Sequence, residues 1–467
     1  MAWSRAEILA ATAGKLQRVG NKSRFGEVVT DSTKVKPGSV FIALKGERFD
    51  GHRFVADAVA RGAVCVIVHR AIAARSLGTV TVVKVPDTLR ALGALANYRR
   101  RQFSPLVLAI TGSNGKTTTK EMLAAILEEA SLKGQRLEKK VLKTEGNFNN
   151  LVGLPLTLLR LRKSDRVAVV ELGTNHPGEI ARLARIADAD LALVTSVAAA
   201  HLEGLRSLAG VAREKGALYQ CVRADGAIAV NLDDPWVKKL AAKFPGKKIT
   251  YGKGGALRAK NIKLQDAKGV QITLQAGARE CQVRLNYLGH HNVSNALGAA
   301  ALALGAGASL SAVRRGLGKA RPYAMRMELQ RWQGVAIIND AYNANPASMR
   351  AALRTLSQVP CRGQRIAVLG DMFELGRHSE REHRQMGKAA AEAKLQLLCL
   401  LGKQVDAVRR GALAAGMAAA KIFIGKDHSD IAARLRGSLK TGDWLLVKGS
   451  RGMKMEKVIG ELSGGKA

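Results

Sequence analysis

Short, wholly apolar runs that alternate with helical stretches constrain this chain more than any other feature. Leu106–Ile110, Val167–Val170, Leu191–Val194 and Ala227–Val230 carry no polar face, and neither does Ile366–Leu369 further on. A strand apolar on both sides must be covered on both sides, which is the condition of a parallel sheet sandwiched by helices. Lys116–Ala130 reads as the helix that follows the first of these runs. Residues 252–286 differ: Val270, Ile272 and Leu274 alternate with polar residues, which predicts added antiparallel strands. Residues 289–310 read as an Ala/Leu-rich helix.

Before Leu106 the runs are shorter. Val40–Leu44, Val64–Val68 and Val80–Val85 read as strands, and Leu89–Arg101 as an amphipathic helix ending at a Ser104-Pro105 turn. After a boundary near Gly316-Leu317-Gly318, strands are expected at Val335–Asn339, Ile366–Leu369, Leu397–Leu401 and Leu445–Val447. At roughly 100–200 residues per domain, 467 residues accommodate this threefold division. The expected domains are 1–103, 104–318 and 319–467, all α/β. The closing Ser463–Ala467 is expected to fray.

With 47% hydrophobic but only 4% aromatic residues, the cores must be aliphatic. No apolar run approaches the roughly 18–20 residues of a membrane helix, and the start lacks a signal-peptide stretch; a cytoplasmic location is expected. The five cysteines, Cys65, Cys221, Cys281, Cys361 and Cys399, form no paired motif, which argues against a disulfide framework or a zinc site. Cys65 reads as a buried strand residue. Lys and Arg number 75 against 37 Asp and Glu, a net charge of +38. That field attracts anions of any kind, but the bases are dispersed and form no tail, so no specific nucleic-acid site is expected.

The segment from Leu108 to Thr119 is the most specific signal: a buried strand runs into Gly112-Ser113-Asn114-Gly115-Lys116-Thr117-Thr118 and then a helix. Glycines let backbone N–H groups approach phosphate oxygens, and the helix N-terminus adds partial positive charge. Lys116 is placed to reach the β- and γ-phosphates, and Thr117 to offer its hydroxyl to Mg²⁺. The usual pattern has a glycine where Ile110 stands, so the loop is a shortened one. A second carboxylate signal follows. Glu171 ends the run Val167–Val170, at the sheet edge where ligands bind in open α/β folds, and its oxygens suit a hard cation. His201 and Lys215 lie further on. A lone histidine is ordinarily structural, and a lone helical lysine ordinarily a solvated charge.

Taken together, these segments resemble the Mur ligase family nearly end to end. Thr111–Thr118 resembles its ATP loop. Glu171 in Glu-Leu-Gly-Thr-Asn is similar to its Mg²⁺-binding glutamate, His201 in Ala-His-Leu-Glu-Gly to its second-magnesium histidine, and Lys215 to the lysine that the family carbamylates. Gly289–Ala296 resembles the segment packing on adenine, with Asn292 the contact. Arg326 resembles the arginine that reaches nucleotide phosphate, beside Met325 where the family often has glycine. Asn339–Met349, Leu369–Gly376 and Val447–Gly452 resemble the dipeptide-adding branch, and no Asp-Asn-Pro-Arg motif of the diaminopimelate-adding branch is present. In the first domain, Asp31–Gly38 resembles a uridine-nucleotide turn, with Thr33 where arginine is common. Gly46–His52 and Thr144–Asn150 also resemble this branch.

The resemblance implies three domains: an N-terminal α/β domain binding the uridine nucleotide, a central phosphate-loop ATPase domain with a parallel sheet, and a C-terminal Rossmann-like α/β domain. It implies ATP and two Mg²⁺ ions as cofactors, with Thr117 and Glu171 on the first ion and Glu171, His201 and carbamylated Lys215 on the second. Asp340 is assigned to the ribose or to the last domain. The implied substrates are UDP-N-acetylmuramoyl-tripeptide, with Ser32, Asp50, Thr144, Asn147, Asn149 and Asn150 as contacts, and D-alanyl-D-alanine, with Asn343, Asn345 and Asp371. The implied reaction makes a peptide bond through an acyl phosphate, by a monomer, towards a peptidoglycan precursor. Three alternatives stand beside it, the first being another Mur-type ligase that adds a different amino acid. A nucleic-acid-dependent ATPase accounts for the charge but needs stacking aromatics. A folylpolyglutamate or cyanophycin type of ligase lacks the uridine turn.

Overall fold

The computed structural model describes residues 2–46, 49–72, 77–265 and 269–464. Glu47 and Arg48 of the Gly46–His52 motif, and the last three residues of the closing segment, lie outside it. Three mainly parallel sheets carry the chain. In the first, the strand order is Lys15–Arg18, Thr81–Lys84, Cys65–Val68, Val40–Ile42, Val28–Val29, with only the Lys15–Arg18 edge antiparallel. The helix Thr88–Phe103 covers it and anchors it to the next domain. Arg100, buried on that helix, donates to the carbonyl oxygens of Ala187 and Asp188 and to the carboxylate of Asp190.

The central sheet has nine strands among the described residues, in the order Val141–Lys143, Val167–Glu171, Leu106–Thr111, Leu191–Val194, Ala227–Asn231, Lys247–Tyr251, Leu257–Leu264, Val270–Ala276, Arg279–Leu285. All neighbours are parallel up to Leu257–Leu264, and the last two strands extend the sheet antiparallel, as the alternation over 270–274 predicts. The four apolar runs occupy the middle of the sheet. Even-numbered Leu108, Ile110 and odd-numbered Val169 face one core, while Val107, Ala109, Ala168 and Val170 face the other. The expected helix over 289–310 is shorter, His291–Gly305, and Leu310–Lys319 forms a separate helix. The latter runs through Gly316-Leu317-Gly318, and Leu317 and Ala320 pack in the central core. Chain order reverses beside Leu106–Thr111: its neighbours Val167–Glu171 and Leu191–Val194 lie on opposite sides. The loop 112–115 therefore leaves the sheet at its topological switch point, where a crevice opens.

The third sheet runs Glu328–Trp332, Val335–Asp340, Trp444–Lys448, Arg365–Gly370, Leu397–Leu401, Ile422–Ile424, parallel except at the first edge. Both edge strands escape the sequence reading. Glu328–Trp332 is half-buried and mostly polar, and Ile422–Ile424 has three residues. Cys65 is fully buried in its strand, and burial pushes its thiol up to about 12, so it is inert at neutral pH. Among the described residues no helix is long and apolar enough to cross a membrane.

Candidate nucleotide and ligation site

A cavity of about 500 Å³ opens between the central and C-terminal domains at the carboxyl edge of the central sheet. The loop Ser113–Gly115 and the first turn of helix Lys116–Glu128 form its floor. Gly112 (φ 149°) and Gly115 (φ 81°) are obligatory here. A Cβ on Gly112 would stand 1.8 Å from Oγ1 of Thr195, and one on Gly115 would stand 2.1 Å from Oδ1 of Asn295. The loop is braced from the neighbouring strand end. Ser113 N donates to Ser196 O at 2.8 Å, and Ser113 Oγ donates to Ala198 O at 3.0 Å. Thr195 donates its hydroxyl to Asn114 O at 2.5 Å. Lys116 Nζ folds back to Gly112 O at 2.8 Å. Burial lowers the pKa of Lys116; Glu171 opposes that shift and Arg326 adds to it.

Glu171 is buried at the cavity wall with both oxygens engaged. Thr117 Oγ1 donates to Oε2 at 2.9 Å, and Asn149 Nδ2 donates to Oε1 at 2.8 Å. No group of three or more His, Cys, Asp or Glu side chains suited to a metal occurs among the described residues. Mg²⁺ does not need one, since it takes one or two protein oxygens and completes its shell with phosphate and water. The Thr117–Glu171 pair beside a phosphate loop fits that mode.

His201 lines the same cavity in the left-handed conformation (φ 54°). Its Nδ1 lies 2.6 Å from Oε2 of Glu374, without satisfactory hydrogen-bond angles. Glu374 reaches in from the C-terminal domain, and the histidine draws its carboxyl below the usual range. Lys215 is fully buried on helix Leu208–Gln220 and does not line the cavity. Burial, reinforced by the Lys116 charge, holds its amine well below the usual lysine pKa. Its neighbour Glu214 is spent on the backbone of Gly178 and Ile180.

Asn292, Arg326, Asp340, Asn343 and Asn345 all line the cavity, as does Thr118. Asn292 is locked by Leu288 O and by Asn295. The Arg326 guanidinium lies 3.9 Å over the Tyr342 ring, and its buried Nε lacks a hydrogen-bond partner among the described residues. Met325 has φ 59°, a left-handed conformation that glycine adopts without steric cost. Asp340 is tied within its own domain, accepting from Met327 N at 3.0 Å and from Lys448 Nζ at 2.6 Å. Asn345 caps helix Pro346–Gln358 and crosses to the loop, donating to Asn114 Oδ1 at 2.8 Å.

Four expected substrate contacts are engaged otherwise. Thr144 is fully buried, and its hydroxyl accepts from Glu171 N at 3.0 Å. Asn150 accepts from Val152 N and Gly153 N, in the turn that leads into helix Gly153–Leu159. Asp371 is buried away from the cavity lining, with its carboxylate on the amides of Lys403 and Gln404. Asp50 accepts from His52 N at 3.0 Å and from Arg70 at 2.9 Å, outside this cavity. Ser32 lies in a turn capped by Asp31 and is buried, outside the cavity lining. Asn147 is exposed, whereas Asn149 lines the cavity. The sequence reading omitted Glu374, Lys448, Thr195 and Ser196. The first two stood inside quoted motifs, but nothing in a motif tells which cavity a side chain meets.

Comparison with known proteins agrees along the chain. Residues 25–100 match "Mur ligase family, catalytic domain", residues 110–303 match "Mur ligase middle domain", and residues 325–451 match "Mur ligase, glutamate ligase domain". The UDP-N-acetylmuramoyl-tripeptide–D-alanyl-D-alanine ligase of Escherichia coli (strain K12) is 38% identical over 451 residues, covering 96% of this chain and 95% of that one. The crystal structure of MurF from Acinetobacter baumannii superposes with a TM-score of 0.90 at 34% identity, covering 99% of each chain. MurF from Thermotoga maritima, solved in complex with ADP, gives 0.82 at 27% identity, covering 94% and 97%.

Proposed function

The chain belongs to the Mur ligase family, and from that premise we infer how its cavity makes a peptide bond. It is an ATP-dependent ligase that adds D-alanyl-D-alanine to UDP-N-acetylmuramoyl-tripeptide. The observation that carries the mechanism is the convergence of Lys116, Thr117, Glu171 and Arg326 on one cavity closed by the C-terminal domain.

A carboxylate cannot be attacked by an amine while its leaving group is oxide. The tripeptide's terminal carboxylate oxygen therefore attacks the γ-phosphorus, and the bond to ADP breaks. The dipeptide amine attacks the acyl carbon of the resulting acyl phosphate, loses a proton, and phosphate leaves with the bridging oxygen. The first step brings two anions together. Lys116 and Arg326 offset that repulsion, and in a site this enclosed their charges act at low dielectric. Thr117 and Glu171 would hold Mg²⁺, which when bound would supply Lewis-acid charge to the phosphate oxygens. Asn149 orients Glu171, and Asn292 packs on the adenine. Asn343 and Asn345 stand on the C-terminal side, where the dipeptide enters. Closure through Asn345 and Glu374 excludes water, which would otherwise hydrolyse the acyl phosphate.

Our reading extends to a second cation near Glu171 and His201, and to carbamylation of Lys215. What supports the latter is a buried amine whose pKa burial and the Lys116 charge lower well below the usual lysine value, a shift towards the neutral form that adds to CO₂. Mass spectrometry of the intact chain in bicarbonate tests it: a Lys215-borne mass increment supports it, and an unmodified Lys215 under turnover conditions excludes it. We also read the reaction as cytosolic, on the ground that it depends on ATP and a nucleotide-linked precursor. The ligase itself is tested by phosphate release with each substrate omitted in turn. Release must require both peptides; release stimulated by polynucleotide alone would overturn the reading.

A further inference from the structure

Below the phosphate loop a lysine is buried that the mechanism above does not use. Lys120 sits four residues beyond Lys116 on helix Lys116–Glu128, so both side chains leave the same face. Its surface is wholly excluded from solvent. Nζ donates to Thr144 O at 2.6 Å, lies 2.9 Å from Oε1 of Glu121, and sits 5.6 Å from the Tyr323 ring centre. Glu121 in turn pairs with Lys143. Burying an ammonium costs several kcal/mol before its partners repay it, so an aliphatic residue would fill this space at less cost if packing alone were needed.

What the lysine holds is the end of an edge strand. Val141–Lys143 pairs with Val167–Glu171 only as far as Lys143 opposite Val169. Thr144 still donates its backbone N–H to Val169 O at 3.0 Å. Beyond it the ladder stops, and Glu171 N would face no acceptor. The Thr144 hydroxyl takes that place, accepting from Glu171 N at 3.0 Å. Thr144 is thus gripped at its carbonyl by the phosphate-loop helix and presents its hydroxyl to the residue whose carboxylate meets Thr117. Helix, strand end and carboxylate form one buried chain: Lys120, Thr144, Glu171, Thr117.

We propose that Lys120 and Thr144 are positioning residues that set the Glu171 carboxylate against the phosphate loop, so that the divalent cation and the γ-phosphate are presented together. Thr144, expected from its motif to face the muropeptide, acts from behind the site. The proposal rests on the reading of Glu171 as a cation ligand.

The test measures two quantities on the full chain. One is the Mg²⁺ concentration giving half-maximal ligation. The other is the dissociation constant of Mn²⁺ from the ADP-bound protein, read from its paramagnetic signal without turnover. Thr144→Val should raise both about tenfold with little change in muropeptide KM, and Thr144→Ser should restore both. Lys120→Met should shift them in the same direction, and it provides the measurement if Thr144→Val does not fold. Metal dependence unchanged in folded Thr144→Val or Lys120→Met, whatever happens to melting temperature, would overturn the proposal. Glu171→Gln separates the two readings. If it leaves Mn²⁺ affinity unchanged, the ligand assignment fails. If it weakens Mn²⁺ binding while Thr144→Val and Lys120→Met do not, only the positioning inference fails.

Discussion

The central cavity and the N-terminal domain spend their polar side chains differently. In the cavity, side chains of two domains reach across to each other: Asn345 to Asn114, Glu374 to His201. In the N-terminal domain, Asp50 bonds to His52 and Arg70 nearby, and Asp31 to Thr33 within its own turn. The first arrangement exists only when the domains are closed. The second holds the domain's own turns in shape, whatever its neighbours do. Substitutions in the cavity should therefore strike turnover, and those in the N-terminal network should strike stability while leaving nucleotide chemistry intact.

The largest effect is expected at the loop. Lys116→Ala should lower kcat/KM by about 10³-fold or more, a loss of about 4 kcal/mol of transition-state stabilisation, with an unchanged circular-dichroism spectrum. Near-normal turnover would remove the loop from the mechanism. Next is the clasp between domains. Asn345→Ser keeps a helix-capping oxygen but is too short to reach Asn114. Combined with Glu374→Ala it should cost about tenfold in kcat/KM, about 1.4 kcal/mol, and raise the ratio of ATP hydrolysed to peptide bond formed. Tight coupling in that double variant would mean that the clasp does not exclude water.

A smaller contrast lies in acid stability. Burial lowers His291, beside Asn292 in the cavity wall, to about 4. The unfolded chain takes up this proton near pH 6.5 and the folded chain only near 4, so stability falls as pH drops between those values. His291→Gln should remove about 1–2 kcal/mol of that loss, read from denaturant unfolding at pH 7 and pH 4.5. Asp50 is held down to about 2, first by the His52 backbone amide. Its contribution is present above about pH 4 and lost as pH falls through about 2. Asp50→Asn should cost about 1 kcal/mol at pH 7 after allowance for solvent screening, with ATP KM unchanged. A changed ATP KM would break the separation between the two regions.

The sequence exposes those parts of the molecule that obey a local rule. Leu106–Thr111 and its neighbours are apolar on both faces, so their place in the middle of a parallel sheet follows from residues alone. The loop is legible because Gly112 and Gly115 sit between a strand and a helix, and their crowded surroundings explain why both must be glycine. Glu328–Trp332 is not legible, because an edge strand that pairs on one side needs no apolar pattern. Side-chain direction is the other gap. Thr144, Asn150 and Asp371 lie in motifs of the right branch, yet each accepts from backbone N–H groups, Thr144 and Asp371 in the interior and Asn150 in a surface turn. Glu374 and Lys448 lie in equally visible motifs and do reach the cavity. A motif names neighbours along the chain; the partner across the cleft comes from a domain hundreds of residues away.

Isotope transfer tests most directly whether this cavity activates a carboxylate. The muropeptide would be labelled with ¹⁸O in both oxygens of its terminal carboxylate, and the released phosphate analysed by mass spectrometry. The acyl-phosphate route predicts one labelled oxygen in each phosphate and one retained in the new peptide carbonyl. Phosphate free of label, with ligated product formed, would contradict it.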